Sequence, residues 1–136
     1  MPHRGSMCLL DRMVAWDEGR IECGASGHRD PAHPLRSRTG LLAGTAIEYA
    51  AQAAALHGGL MASAAGASAP PGYLASAREV RLGAWRLDDL PAAGNDTLRI
   101  LAERQAGDGG RLLYAFRVEH AGREIASGRL AVVLAA

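Results

Sequence analysis

The sequence predicts an α+β domain in which one antiparallel sheet curls around a single buried helix. Three observations predict it: a helix-length stretch apolar on almost every side, strand-like runs before and after it, and glycine-rich turns between the later runs. The stretch is Gly40 to Gly59, GLLAGTAIEYAAQAAALHGG, which carries Leu41, Leu42, Ala46, Ile47, Ala50, Ala51, Ala53, Ala54 and Leu56. A helix that is apolar all round is wrapped by other elements rather than laid on a surface. Gly58-Gly59 supplies its expected C-terminal stop. Before it, Met7 to Trp16 and Arg20 to Gly27 make a hairpin around the Asp17-Glu18-Gly19 turn. After it come four strands: Tyr73 to Trp85, Thr97 to Gln105, Arg111 to His120 and Arg123 to Leu134. In the third of these, Leu112, Tyr114, Phe116 and Val118 share one face. The turns at 106–110 and at Ala121-Gly122 are rich in glycine, as hairpins require. Residues 27–40 form a loop with two prolines and two histidines, and Met61 to Gly72 is a low-complexity crossover. A sheet closed over one apolar rod is the economical packing of this order.

Length and composition bound the function. At 136 residues the chain makes one domain, 1–136, with a real core. A net charge of +1 does not indicate wholesale binding of nucleic acid. No apolar run is long enough for a membrane span, and the first residues lack the uncharged apolar core of a signal peptide. Two cysteines without a CxxC pair form no disulfide framework, so the expected compartment is the reducing cytoplasm.

Polar residues inside the central stretch are the first functional candidates. Thr45, Glu48 and Gln52 follow one another at spacings of three and four and so share a helix face. A carboxylate on a core helix is costly unless it is paired, hydrated or used. Thr45-Ala46-Ile47-Glu48 also fits a capping box, which would give Glu48 a purely structural role. The preceding loop holds two histidines, His28 and His33, either of which could carry a proton. His57 falls on the opposite helix face from Glu48, and His120 is expected in a solvated hairpin turn. No HxxxH or similar spacing accompanies the carboxylates, so no metal site is expected.

Pro2-His3-Arg4 followed by Leu9-Leu10-Asp11-Arg12 resembles the opening of bacterial 3-hydroxyacyl-[acyl carrier protein] dehydratases. Glu48-Tyr49-Ala50-Ala51-Gln52 is similar to their ExxAQ helix signature, and His33-Pro34 falls where they carry His-Phe-Pro-Gly. The chain departs from that pattern after the histidine, where Leu35-Arg36 follows the proline, and in its Ala43-Gly44 helix entrance. It is therefore similar to a divergent branch, the dehydratase-like proteins of aryl-polyene and related polyketide-type pathways. The resemblance implies a hotdog fold and dehydration of 3-hydroxyacyl thioesters, with His33 and Glu48 as catalytic residues and no cofactor. Substrate contacts fall to Gly44, Thr45 and Gln52. Backbone N–H groups at a helix start, Gly44 above all, suit the charge that develops on a thioester oxygen. The implied partners are an acyl carrier protein and a second subunit, in a homodimer or higher oligomer or a heterodimer with a related chain. In that family the histidine and the glutamate of one site come from different subunits. Arg36, Arg38, Arg78, Arg81 and Arg86 offer a basic rim for an acidic carrier. Two other functions fit the same residues: an acyl thioesterase in which Glu48 activates water, and a non-catalytic acyl-binding or heterodimer subunit.

Overall fold

The computed structural model describes residues 8–67, 72–92, 94–108 and 110–134; the Pro2-His3-Arg4 opening lies outside them. The chain runs β1 (Arg12–Trp16), β2 (Arg20–Ala25), a 3-10 turn at Gly27–Arg29, a second at Ala43–Thr45, α1 (Ala46–Ala64), then β3 (Gly72–Leu82), β4 (Leu98–Asp108), β5 (Arg111–His120) and β6 (Arg123–Leu134). The six strands form one antiparallel sheet in the order β1-β2-β4-β5-β6-β3. β1 and β3 are its two edges.

Alternation along the strands directs every second side chain to the helix. Ile21, Cys23 and Ala25 of β2, Leu98, Ile100 and Ala102 of β4, and Leu112, Tyr114, Phe116 and Val118 of β5 are all buried. They close over α1, where Ala46, Ala50, Ala53 and Ala54 are fully buried. Small side chains let the strands come close to the helix axis. Gly58 extends this surface: a Cβ there would sit 3.3 Å from Leu112 Cδ1.

The helix differs from its expected bounds at both ends. It begins at Ala46 because Gly40–Ala43 is committed elsewhere: the Ala43 N–H donates to Trp85 O at 2.9 Å and the Leu87 N–H to Leu41 O at 2.7 Å. Gly40 turns the chain into this bridge at φ 105°, beyond the reach of ordinary side chains. At the far end α1 passes through Gly58-Gly59 and takes the first residues of the expected crossover. The stop falls at Gly66, φ 76°, whose amide donates to Ser63 O. The first strand also begins later than expected, at Arg12, while Leu9 and Leu10 pack into the core as extended chain.

Candidate active site

The core opens to the surface at the start of α1. Ala43 and Thr45 spend their amides on the carbonyls of Trp85 and Leu42, which leaves the Gly44 amide between them. Gly44 is exposed, and a Cβ added there would meet nothing within 4 Å. In front of it lies a cavity of about 560 Å³ lined by Leu42, Ala43, Gly44, Leu82, Gly83, Ala84 and Trp85. Its walls are apolar, and Trp85 is 91% exposed. Asp88 holds this mouth together, accepting from the Leu41 N–H at 2.9 Å and from Arg86 at 2.7 Å, with Arg36 at 3.2 Å. The Arg86 guanidinium, aided by the Leu41 amide, keeps its carboxyl well below the usual carboxylate range.

The expected polar stripe divides into three environments. Thr45 makes no side-chain cap bond, so the Thr45 half of the capping box is not formed. Glu48, in the first turn of α1, is half-buried. Gln52 is fully buried, and its Oε1 accepts the Leu9 N–H at 2.8 Å, so its side chain fastens the N-terminal segment to the helix.

His33 sits beside the same helix turn through Tyr49, which sequence reasoning passed over although it lies within the ExxAQ-like run. Its Nε2 is 2.9 Å from the Tyr49 hydroxyl, and its Nδ1 accepts the Leu35 N–H at 3.1 Å. A backbone N–H only donates, so Nδ1 is unprotonated and the proton of the neutral ring is on Nε2, given to the Tyr49 oxygen. Burial pushes the imidazole below the usual histidine value, with the nearby positive charge of Arg36 acting the same way. Both ring nitrogens are thus engaged within the chain.

None of the other described histidines lines the cavity at Gly44. His57 is buried on the far side of α1, between the Tyr114 hydroxyl at 2.7 Å and the Asp17 carbonyl at 2.8 Å. His28 is buried and bonds Asp96, which removes it from the loop surface. His120 corrects an expectation: it is the last residue of β5, only 4% exposed, and its Nε2 lies 2.8 Å from Asp96 rather than in solvent. Sequence gave no sign of this pairing, because the partners lie 24 and 68 residues apart. Of the expected basic rim, Arg36 and Arg86 are paired with Asp88, whereas Arg38, Arg78 and Arg81 are exposed.

A six-stranded antiparallel sheet wrapped around one long helix, with the helix start opening onto an apolar cavity, defines a hotdog fold. The chain belongs to the ApeP-like family, described as ApeP dehydratase, whose family model matches residues 1–136. Among solved structures it is similar to the dehydratase heterocomplex ApeI:P from Xenorhabdus doucetiae, at 23% identity and a TM-score of 0.82, covering 100% of this chain and 88% of that one. It is also similar to a mutant thioesterase from Pseudomonas aeruginosa, at 15% identity and a TM-score of 0.60, over 91% and 81% of the two chains. A mutant thioesterase from Staphylococcus aureus is 11% identical with a TM-score of 0.64, over 92% and 93%. At these identities the structural likenesses establish the fold. No curated protein matches the chain.

Proposed function

We propose that this chain dehydrates 3-hydroxyacyl thioesters carried on acyl carrier protein to trans-2-enoyl thioesters, in fatty-acid or polyene-type biosynthesis. The observation that carries this reading is the juxtaposition at the start of α1: an exposed Gly44 with open space over its Cα, an apolar cavity in front of it, and Glu48 one turn further on. The thioester carbonyl oxygen would take the Gly44 N–H, where the positive end of the helix dipole stabilises enolate-like charge. A base removes the C2 proton, the C2–C3 double bond forms, and the C3 hydroxyl leaves as water with a proton from the Glu48 carboxyl. His33 is the proposed base. To accept the proton at Nδ1 its ring must first give up the Leu35 amide.

That requirement favours a second reading, in which this chain serves as one subunit of a heterodimer and the base belongs to its partner. The solved relative from X. doucetiae is itself a heterocomplex. The edge strand β3 offers the surface for a second subunit, since Tyr73, Leu74 and Leu82 are exposed along it and Trp85 follows. The thioesterase reading uses the same Glu48 but releases a thiol. Incubating the purified chain with a 3-hydroxyacyl thioester separates the three. Enoyl product identifies the dehydratase, free thiol the thioesterase, and neither product the subunit that needs its partner.

A further inference from the structure

We propose that His28, Asp96 and His120 form a binding site for one divalent ion of the zinc class. The three come from separate segments: the 3-10 turn after β2, the connector before β4, and the end of β5. Their ligand atoms lie within 4.8 Å of one another. His28 Nε2 is 3.2 Å and His120 Nε2 2.8 Å from the same oxygen, Asp96 Oδ1. Tetrahedral zinc, with ligands at about 2.0–2.1 Å, keeps neighbouring ligand atoms about 3.3 Å apart, which the two nitrogen–oxygen spacings approach, while the two imidazole nitrogens lie within 4.8 Å of each other.

Crowding at that oxygen is the argument against a simple hydrogen-bonded clasp. Oδ1 also takes Arg29 NH2 at 2.9 Å, which makes three nitrogens around an oxygen with two lone pairs. One ion in place of the two imidazole protons lets both Nε2 lone pairs and Oδ1 point at a common centre. Arg29 then holds the carboxylate from behind, its Nε 2.6 Å from Oδ2 and its remaining N–H groups on the carbonyls of Asp88 and Leu90. Both imidazoles are buried, while the Asp96 side chain is 36% exposed, which leaves a path for the ion and room for a water ligand. Because Arg29 offsets the carboxylate charge, the affinity rests on the two imidazoles. The site therefore takes a nitrogen-preferring ion such as Zn²⁺ and rejects Mg²⁺ and Ca²⁺. An ion here would clamp the connector after β3, the same segment that carries Trp85 and lines the cavity at Gly44.

The test is calorimetric titration of chelator-treated protein with ZnCl₂ and, separately, MgCl₂. The expected result is one Zn²⁺ per chain with a raised melting temperature, and no response to Mg²⁺. His120→Gln keeps an N–H for Asp96 but is a poor ligand, so it should fold normally and lose Zn²⁺ binding; His28→Ala should lose it as well. Cys8→Ser should bind as the wild type does. In the wild type, ¹⁵N signals of two histidine rings should shift at Nε2 on adding Zn²⁺, a readout that needs no variant. Absence of stoichiometric Zn²⁺ binding, binding that survives in His120→Gln, or unshifted ring nitrogens would overturn the assignment.

Discussion

At the scale of single residues, His57 and His33 are held neutral by burial and by bonds that use each ring as a fixed donor and acceptor. The Asp17 carbonyl can only accept, so His57 carries its proton on Nε2, and Nδ1 accepts the Tyr114 O–H. Protonating Nδ1 would force the Tyr114 hydroxyl to turn from donor to acceptor and place a positive charge inside the core, beside the Arg104 guanidinium that lies 5.8 Å over the Tyr114 ring. Burial accordingly lowers the His57 value, with Arg104 adding to the effect and Asp17 opposing it. Burial lowers His33 in the same direction. The unfolded ring takes up a proton near pH 6.5. A depressed folded value therefore gives stability that is complete above that pH and drains away as pH falls below it. Denaturant midpoints measured from pH 7.5 to pH 5 should decline over this window. Tyr114→Phe, which leaves Nδ1 without its donor, should be less stable at pH 7.5 and show a shallower decline. Midpoints flat from pH 7.5 to pH 5 would contradict the neutral, bonded His57.

At the scale of elements, α1 and the turn before it decide the geometry of the candidate site. Ala50 is fully buried under the sheet, so Ala50→Leu should overpack the core at a cost of about 1–3 kcal/mol, read from chemical denaturation. Gly40→Ala should also be costly. Its backbone is at φ 105°, and its Cβ would fall 2.6 Å from both Arg86 Nε and Asp88 Oδ2, in the pair that holds the cavity mouth. Backbone strain of this kind alone costs about 1–3 kcal/mol. A wild-type midpoint for either variant would show that the element is not packed as described. The helix and the strands were legible because their patterns are local: period two in Arg111–His120, whose bounds match, and an all-apolar face set in 46–56. The helix ends were not legible. Glycine at Gly58 signals a stop locally, whereas here it serves a close approach to Leu112 that only the tertiary fold creates. The place of Glu48 in the first turns of the helix was readable from the polar stripe. The burial of Gln52 under Leu9 and the engagement of His33 by Tyr49 and Leu35 depend on side-chain directions that spacing does not carry.

At the scale of the whole molecule, an edge strand with exposed aromatic and aliphatic side chains calls for a partner. Tyr73 is 61% exposed and Leu74 38%, at the start of β3, where the pairing with β6 shifts register between Leu74 and Ser76. Sedimentation should therefore give at least a dimer, for this chain alone or with a related subunit. Tyr73→Asp should weaken the assembly without unfolding the chain, and an unchanged mass would place the interface elsewhere. The proposal of dehydration depends most directly on Glu48. Replacing it by Gln keeps size and hydrogen-bonding capacity but removes the transferable proton. The decisive measurement is the rate of enoyl thioester formation from a 3-hydroxyacyl-[acyl carrier protein], wild type against a folded Glu48→Gln protein, each in its active assembly. The expected result is a loss of about 10²–10⁴-fold, the usual contribution of a general acid, with no free thiol released. Enoyl formation that is unchanged in Glu48→Gln, or thiol release in place of enoyl product, would contradict it.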